Sequence, residues 1–217
     1  MINTYPLDHP PRIAVDGLDA AGKSTLADDL VPFVELHGRA AIRVSMDGFH
    51  RPAAERYRQG ELSPEGCYRD SFDTEAFIRG VLEPLGPRGS LAYRTAVFDV
   101  ERDAPAAAPV QIASAGAVLL VDGVFLLRPE LRPHWEFAIF VDTHPEEILR
   151  RALARDAGRF GSKEAVRKRY EKRYLPAQEL YSSEVDPRRL ADVVVENTDP
   201  ATPFVTRASG RALALER

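Results

Sequence analysis

Cysteine is nearly absent from this chain. Cys67 is the only one in 217 residues, which excludes an internal disulfide and fits a reducing compartment. Long apolar runs are missing too: the longest strongly apolar stretch, residues 117–121, is far too short to cross a bilayer. There is no basic excess, the formal net charge being −4, and this argues against a dedicated nucleic-acid binder. The first residues, Met-Ile-Asn-Thr-Tyr-Pro, lack a basic region followed by an apolar run, so no secretory signal is expected. These absences point to a soluble, cytoplasmic protein with a small-molecule partner and no nucleic-acid or membrane partner; homo-oligomerisation stays open. Lysine is scarce as well, Lys23 being the only one before Lys163.

That lysine sits in the most informative stretch. Gly17-Leu18-Asp19-Ala20-Ala21-Gly22-Lys23-Ser24-Thr25 is a complete G-x-x-x-x-G-K-[ST] phosphate-binding loop. A short apolar strand candidate, Arg12-Ile-Ala-Val-Asp16, precedes it, and a helical pattern follows from Leu26. The glycines let successive backbone N–H groups turn inward toward phosphate oxygens, at the positive end of a helix. Lys23 supplies a mobile charge for the outer phosphates, and the Ser24 hydroxyl is a hard oxygen ligand for Mg²⁺. A nucleotide, ATP, with Mg²⁺ is the expected ligand.

At 217 residues and 44% hydrophobic content the chain reads as one domain, 1–217. A first helix is expected from Ser24 to Gly38, with Pro32 placed to kink it. A second strand, Ala41-Ile-Arg-Val-Ser-Met46, ends at Asp47-Gly48-Phe49-His50. Residues 51–71 carry no clear periodicity and read as a long irregular segment. A short helix over 74–85 follows, capped by Asp73. Strands over 93–99 and 109–113, joined by the Ala/Pro-rich stretch 104–109, form a hairpin excursion spanning about 91–114. Ala117–Val121 and Phe137–Val141 are continuous apolar runs, each ending in an acid. A basic helix over 144–156 leads to the glycine-flanked stretch 157–161, then further helix over 162–174 and 177–181. Residues 191–196 form the last strand, and 200–217 a weakly patterned tail. Apolar strands alternating with helices predict an α/β fold with a parallel sheet covered on both faces, its ligands outside the strands' carboxyl ends.

Three acids fall at strand ends. Asp122 suits a magnesium partner opposite Ser24. Asp47 suits a general base for a substrate hydroxyl. Asp142 reads as structural. In the basic helix, Arg151 and Arg155 share a face, with Arg150 beside them and Arg159 a turn beyond. Such arginines can be solvated and paired with Glu146, Glu147 and Asp156. The glycines around Arg159 favour instead a lid, over about 150–175, that closes on a transferred phosphoryl group.

The ordered set of Asp16 to Thr25, Ser45-Met-Asp-Gly-Phe-His50, Ser71-Phe-Asp73, Val121-Asp-Gly123, Arg150-Arg-Ala-Leu-Ala-Arg-Asp156 and Ala191-Asp-Val-Val-Val resembles the uridine kinase and phosphoribulokinase family, over about 12–199. The resemblance implies a P-loop NTPase three-layer α/β/α fold with a mainly parallel sheet, a β-hairpin excursion and a helical arginine lid. It implies ATP-dependent phosphorylation of a hydroxyl on a nucleoside-like acceptor. Asp47 then falls on the base, with Lys23, Arg155 and Arg159 as the other catalytic residues. His50, Asp73, Phe98 and Arg151 fall on the acceptor side, Asp73 as the ligand of ribose hydroxyls. The chain departs from the family in having Asp122-Gly123 in place of Glu-Gly, and one more residue in the arginine segment. It also has no histidine after Phe98, where uridine kinases read the pyrimidine. Pantothenate and nicotinamide riboside kinases share the architecture, and a nucleotide-dependent switch that only hydrolyses ATP is the alternative from another class.

Overall fold

In the computed structural model, residues 7–213 are described; positions 1–6 and the end of the tail, 214–217, lie outside the described residues. Six strands form one sheet. β1 (Arg12–Gly17), β2 (Ala41–Ser45), β7 (Val118–Gly123), β8 (Phe137–Asp142) and β9 (Val193–Glu196) are parallel, and β10 (Phe204–Ala208) is antiparallel at the edge, in the order β10-β9-β8-β1-β7-β2. All six residues of β7 are buried, as a strand covered on both faces must be. Its side chains alternate between two cores. Leu119 and Val121 join Phe49, Phe77, Leu126 and Phe140 on one face, while Val118 and Leu120 meet Val34 of α1 (Lys23–Leu36) on the other. α1 continues through Pro32 without interruption to Leu36, followed by Gly38 at φ +72°.

The segment 51–71 is not irregular. It contains α2 (Ala53–Arg56) and α3 (Pro64–Asp70). The tie that orders it is distant in sequence: the buried guanidinium of Arg173 donates to the carbonyls of Glu61 (3.2 Å), Ser63 (3.1 Å) and Arg56 (3.3 Å). The next helix runs as α4 (Thr74–Phe77) and a π turn, Ile78–Leu82, with Asp73 as its cap.

The excursion also differs from the expected pair of long strands. β3 (Ala92–Tyr93) pairs with β6 (Gln111–Ile112), but β4 (Phe98–Asp99) pairs with β5 (Ala104–Pro105), inside the stretch read as a connector. Asp99 Oδ1 accepts the N–H groups of Glu101 (3.0 Å) and Arg102 (3.1 Å), which closes a tight turn there.

The lid is helical throughout. α5 (Pro145–Arg155) is followed by α6 (Ala157–Phe160), where glycines suggested a loose joint, and Gly161 at φ +85° stops it. α7 (Lys163–Arg169) then passes through a π turn, Tyr170–Tyr174, into α8 (Leu175–Val185). α9 (Pro187–Leu190) precedes β9, and α10 (Gly210–Leu213) follows β10. Part of the tail thus completes the sheet, through backbone pairing with β9 that needs no side-chain pattern.

Candidate active site

The phosphate loop spans the turn from β1 to α1. Gly17 (φ +153°) and Gly22 (φ +97°) adopt backbone conformations that side chains resist. A Cβ at Gly17 would also overlap the Val141 carbonyl, and one at Gly22 the Asn197 amide. Lys23 is 8% exposed and its Nζ donates to the Leu18 carbonyl at 2.7 Å, across the loop it serves. The loop is braced from β9: Asn197 Nδ2 donates to the Ala21 carbonyl at 2.7 Å, and Arg151 Nη1 reaches the same oxygen at 3.2 Å.

Parallel pairing sets Asp122 level with Val15 on one side and Ser45 on the other. Asp122 therefore stands at the sheet's carboxyl edge, and its Oδ2 accepts a hydrogen bond from Ser24 Oγ at 2.5 Å. Arg43 Nη2 holds the other oxygen at 3.0 Å. Two hard oxygen donors converging at a phosphate loop fit magnesium, which takes few protein ligands and fills the rest with phosphate and water. Among the described residues no cluster of three or more His, Cys, Asp or Glu could hold a metal unaided.

Two cavities flank this point. A cleft of about 630 Å³ is lined by Gly22, Lys23, Ser24, Thr25, Arg151 and Asn197. A second cavity of about 200 Å³ holds Asp19, Asp47, His50, Arg159, Phe125 and Gln178. Arg155 lines both. Asp47 sits on a 3₁₀ turn, Met46–Phe49, whose cap is Ser45 Oγ accepting the Asp47 N–H at 3.3 Å. Its carboxylate is exposed and accepts no hydrogen bond from the described residues. His50 packs against Phe72 with the rings tilted by 46° and their centroids 4.4 Å apart, and its Nδ1 lies 2.9 Å from the Asp47 carbonyl. Burial lowers its pKa below the ordinary value, favouring the neutral ring.

The lid is latched to the loop. Tyr170 donates between Asp19 Oδ2 (3.1 Å) and Asp156 Oδ2 (3.0 Å), and Arg155 pairs with Asp156 and Asp19. Beneath the loop, Asp16 is 0% exposed. It accepts from Gly17 N at 2.8 Å and from Tyr181 Oη at 2.5 Å. Burial pushes its carboxyl up to about 6.

The structure brings together the loop, Asp122, Asp47, His50, Arg155 and Arg159. It separates three residues expected on the acceptor side. Arg151 faces the nucleotide cleft, held by the carbonyls of Ala21, Asn197 and Thr198, because its position on α5 points toward β9. Asp73 does not line the cavity; its Oδ1 accepts the Ala76 N–H at 2.9 Å as a helix cap. Phe98 is buried in the hairpin, and Val100 lines the cavity from that element. Asp142, expected to be structural, accepts from Arg188 Nε at 2.6 Å and Nη2 at 2.7 Å. Missed from the sequence were Asn197, Tyr170, Arg56 and Gln178. Only Asn197 had a signal, since it ends a strand as the three acids do.

No protein-family model matches the chain. It is 28% identical to uridine-cytidine kinase B of Dictyostelium discoideum over 89% of this chain and 77% of that protein. Its fold is similar to that of a possible uridine kinase from Bacillus stearothermophilus (TM-score 0.69, 23% identity, 89% of this chain and 92% of that one). It is also similar to that of phosphoribulokinase from Rhodobacter spheroides (TM-score 0.60, 16% identity, 87% and 70%). The chain is thus similar in sequence to a uridine-cytidine kinase and shares the P-loop kinase fold of these solved structures.

Proposed function

We propose that this protein transfers the γ-phosphoryl group of ATP to a hydroxyl of a nucleoside-like small molecule. The observation that carries this reading is the second cavity: it holds Asp47 and shares Arg155 with the phosphate-loop cleft. A switch that only hydrolyses ATP has no use for an acceptor chamber joined to its nucleotide site. The acceptor hydroxyl oxygen forms a bond to the γ-phosphorus as the bond to the bridging oxygen of ADP breaks, and the hydroxyl proton passes to the Asp47 carboxylate. Lys23 and the loop amides hold the outer phosphates, while Arg155 and Arg159 face charge developing on the moving group. Ser24 and Asp122 are the residues that would hold Mg²⁺, which when bound neutralises phosphate charge. No helix of the described residues is long and apolar enough to cross a membrane, and a cytoplasmic, small-molecule role suits this chemistry.

The test mixes the protein with ATP, Mg²⁺ and a panel of ribonucleosides, pantothenate and nicotinamide riboside, and follows ADP release. Release that depends on one nucleoside-like acceptor and disappears in Lys23→Ala is expected. ADP release of equal rate with every acceptor, or with none, would favour the hydrolytic switch.

A further inference from the structure

Gln178 lies on α8, four residues after Tyr174 at the end of the preceding π turn, and both line the acceptor cavity. Gln178 is only 4% exposed, yet its carboxamide makes no hydrogen bond among the described residues, and its Oε1 is fully buried. A buried amide left unpaired carries its full desolvation penalty, so such groups are normally satisfied by the fold. Here the place available for a partner is the cavity. An amide offers a donor and an acceptor side by side and pairs in two-point fashion with a group that presents the complementary pair. Arg56, which also lines the cavity, repeats the pattern. It is 8% exposed, its Nη2 is held by Asp103 at 2.9 Å, and its Nε is buried without a partner. The rings of Phe72, Phe125 and Tyr174 give the cavity flat apolar walls.

Resting on the kinase reading above, we propose that Gln178 is the residue that selects the acceptor, by pairing edge to edge with adjacent hydrogen-bond donor and acceptor atoms on a planar ring. Arg56 Nε supplies a second donor to a carbonyl on that ring. The acceptor class is therefore a hydroxyl-bearing compound with an amide-type ring edge, and a compound offering only hydroxyls would leave Gln178 unpaired.

Uridine, whose ring carries such an edge, and N3-methyluridine, in which the edge is blocked, are the probes. Their binding is measured by calorimetry on the full chain, and ADP release is measured separately. Uridine should bind roughly 10–100-fold more tightly than its N3-methyl analogue, and Gln178→Leu should bring the two to within about twofold. Leucine has similar bulk and removes the unpaired amide, so the thermal midpoint of the variant should match or exceed the wild type and exclude a folding defect. Equal binding of the two probes by the wild type, no binding of uridine, or a discrimination ratio unchanged in Gln178→Leu would overturn the proposal. The last result would mean that Gln178 bonds an ordered water and not the acceptor. Discrimination as expected but without ADP release would remove the kinase reading and leave the role of Gln178 standing. ADP release with uridine but no discrimination would do the reverse.

Discussion

The hydroxyl of Tyr170 lies 3.1 Å from Oδ2 of Asp19, joining the π turn of the lid helix to the phosphate loop across 151 residues of chain. The same hydroxyl lies 3.0 Å from buried Asp156 at the end of α5. Burial and the two neighbouring carboxylates hold its pKa far above the ordinary value, so it remains a donor at any working pH. Interruptions of regular helix such as this π turn recur where a side chain must be aimed at a functional site.

Tyr170→Phe keeps the ring and removes both contacts. It should cost about 1–3 kcal/mol of stability, read from urea unfolding, and should raise KM for both substrates by loosening the lid. A variant as stable and as active as the wild type would show that the latch is incidental.

Asp47 and Asp122 should separate kinetically. Asp47→Asn is expected to lower kcat by about 10²–10⁴-fold with KM for ATP nearly unchanged, since the carboxylate acts on the acceptor's proton. Asp122→Asn should instead move the Mg²⁺ concentration needed for half-maximal rate upward. Normal turnover by Asp47→Asn at saturating acceptor removes the base assignment.

Arg151 binds three carbonyls that frame the nucleotide cleft, Ala21 at 3.2 Å, Asn197 at 2.6 Å and Thr198 at 3.1 Å. Arg151→Ala should therefore raise KM for ATP, by about tenfold for the loss of one or two such bonds, and leave KM for the acceptor alone. The opposite pattern would return Arg151 to the acceptor side, where the family resemblance placed it.

Asp16 makes stability depend on pH. Its ordinary pKa of 3.8 rises to about 6 in the fold through burial, so the native state holds this proton more tightly than the unfolded chain. The resulting stabilisation is fully present below about pH 4 and is lost as pH rises through 6, a change of about 3 kcal/mol. The stability of the wild type relative to Asp16→Asn, from urea unfolding, should fall by about that amount between pH 4 and pH 7. A difference that stays flat across this window contradicts the buried titration.

Local chemistry was enough to announce the loop, the parallel sheet and the acids at strand ends. A glycine pattern, a continuous apolar run and a strand-terminal carboxylate each act over a few neighbouring residues, so they are legible without knowing the fold. Register then did what the sequence implied: five parallel strands align their carboxyl ends, and Asp122 meets Ser24 at a sequence separation of 98. Other features rest on contacts with no local trace. The segment 51–71 is ordered by the guanidinium of Arg173, more than 100 residues away. β10 exists because β9 offers it backbone partners. The resemblance put Asp73 and Arg151 on the acceptor side; in the fold Asp73 Oδ1 caps a helix and Arg151 is held by the carbonyls behind the loop. Which face of the site a side chain serves depends on the direction its helix leaves the sheet, and that is settled by packing between elements far apart in the chain.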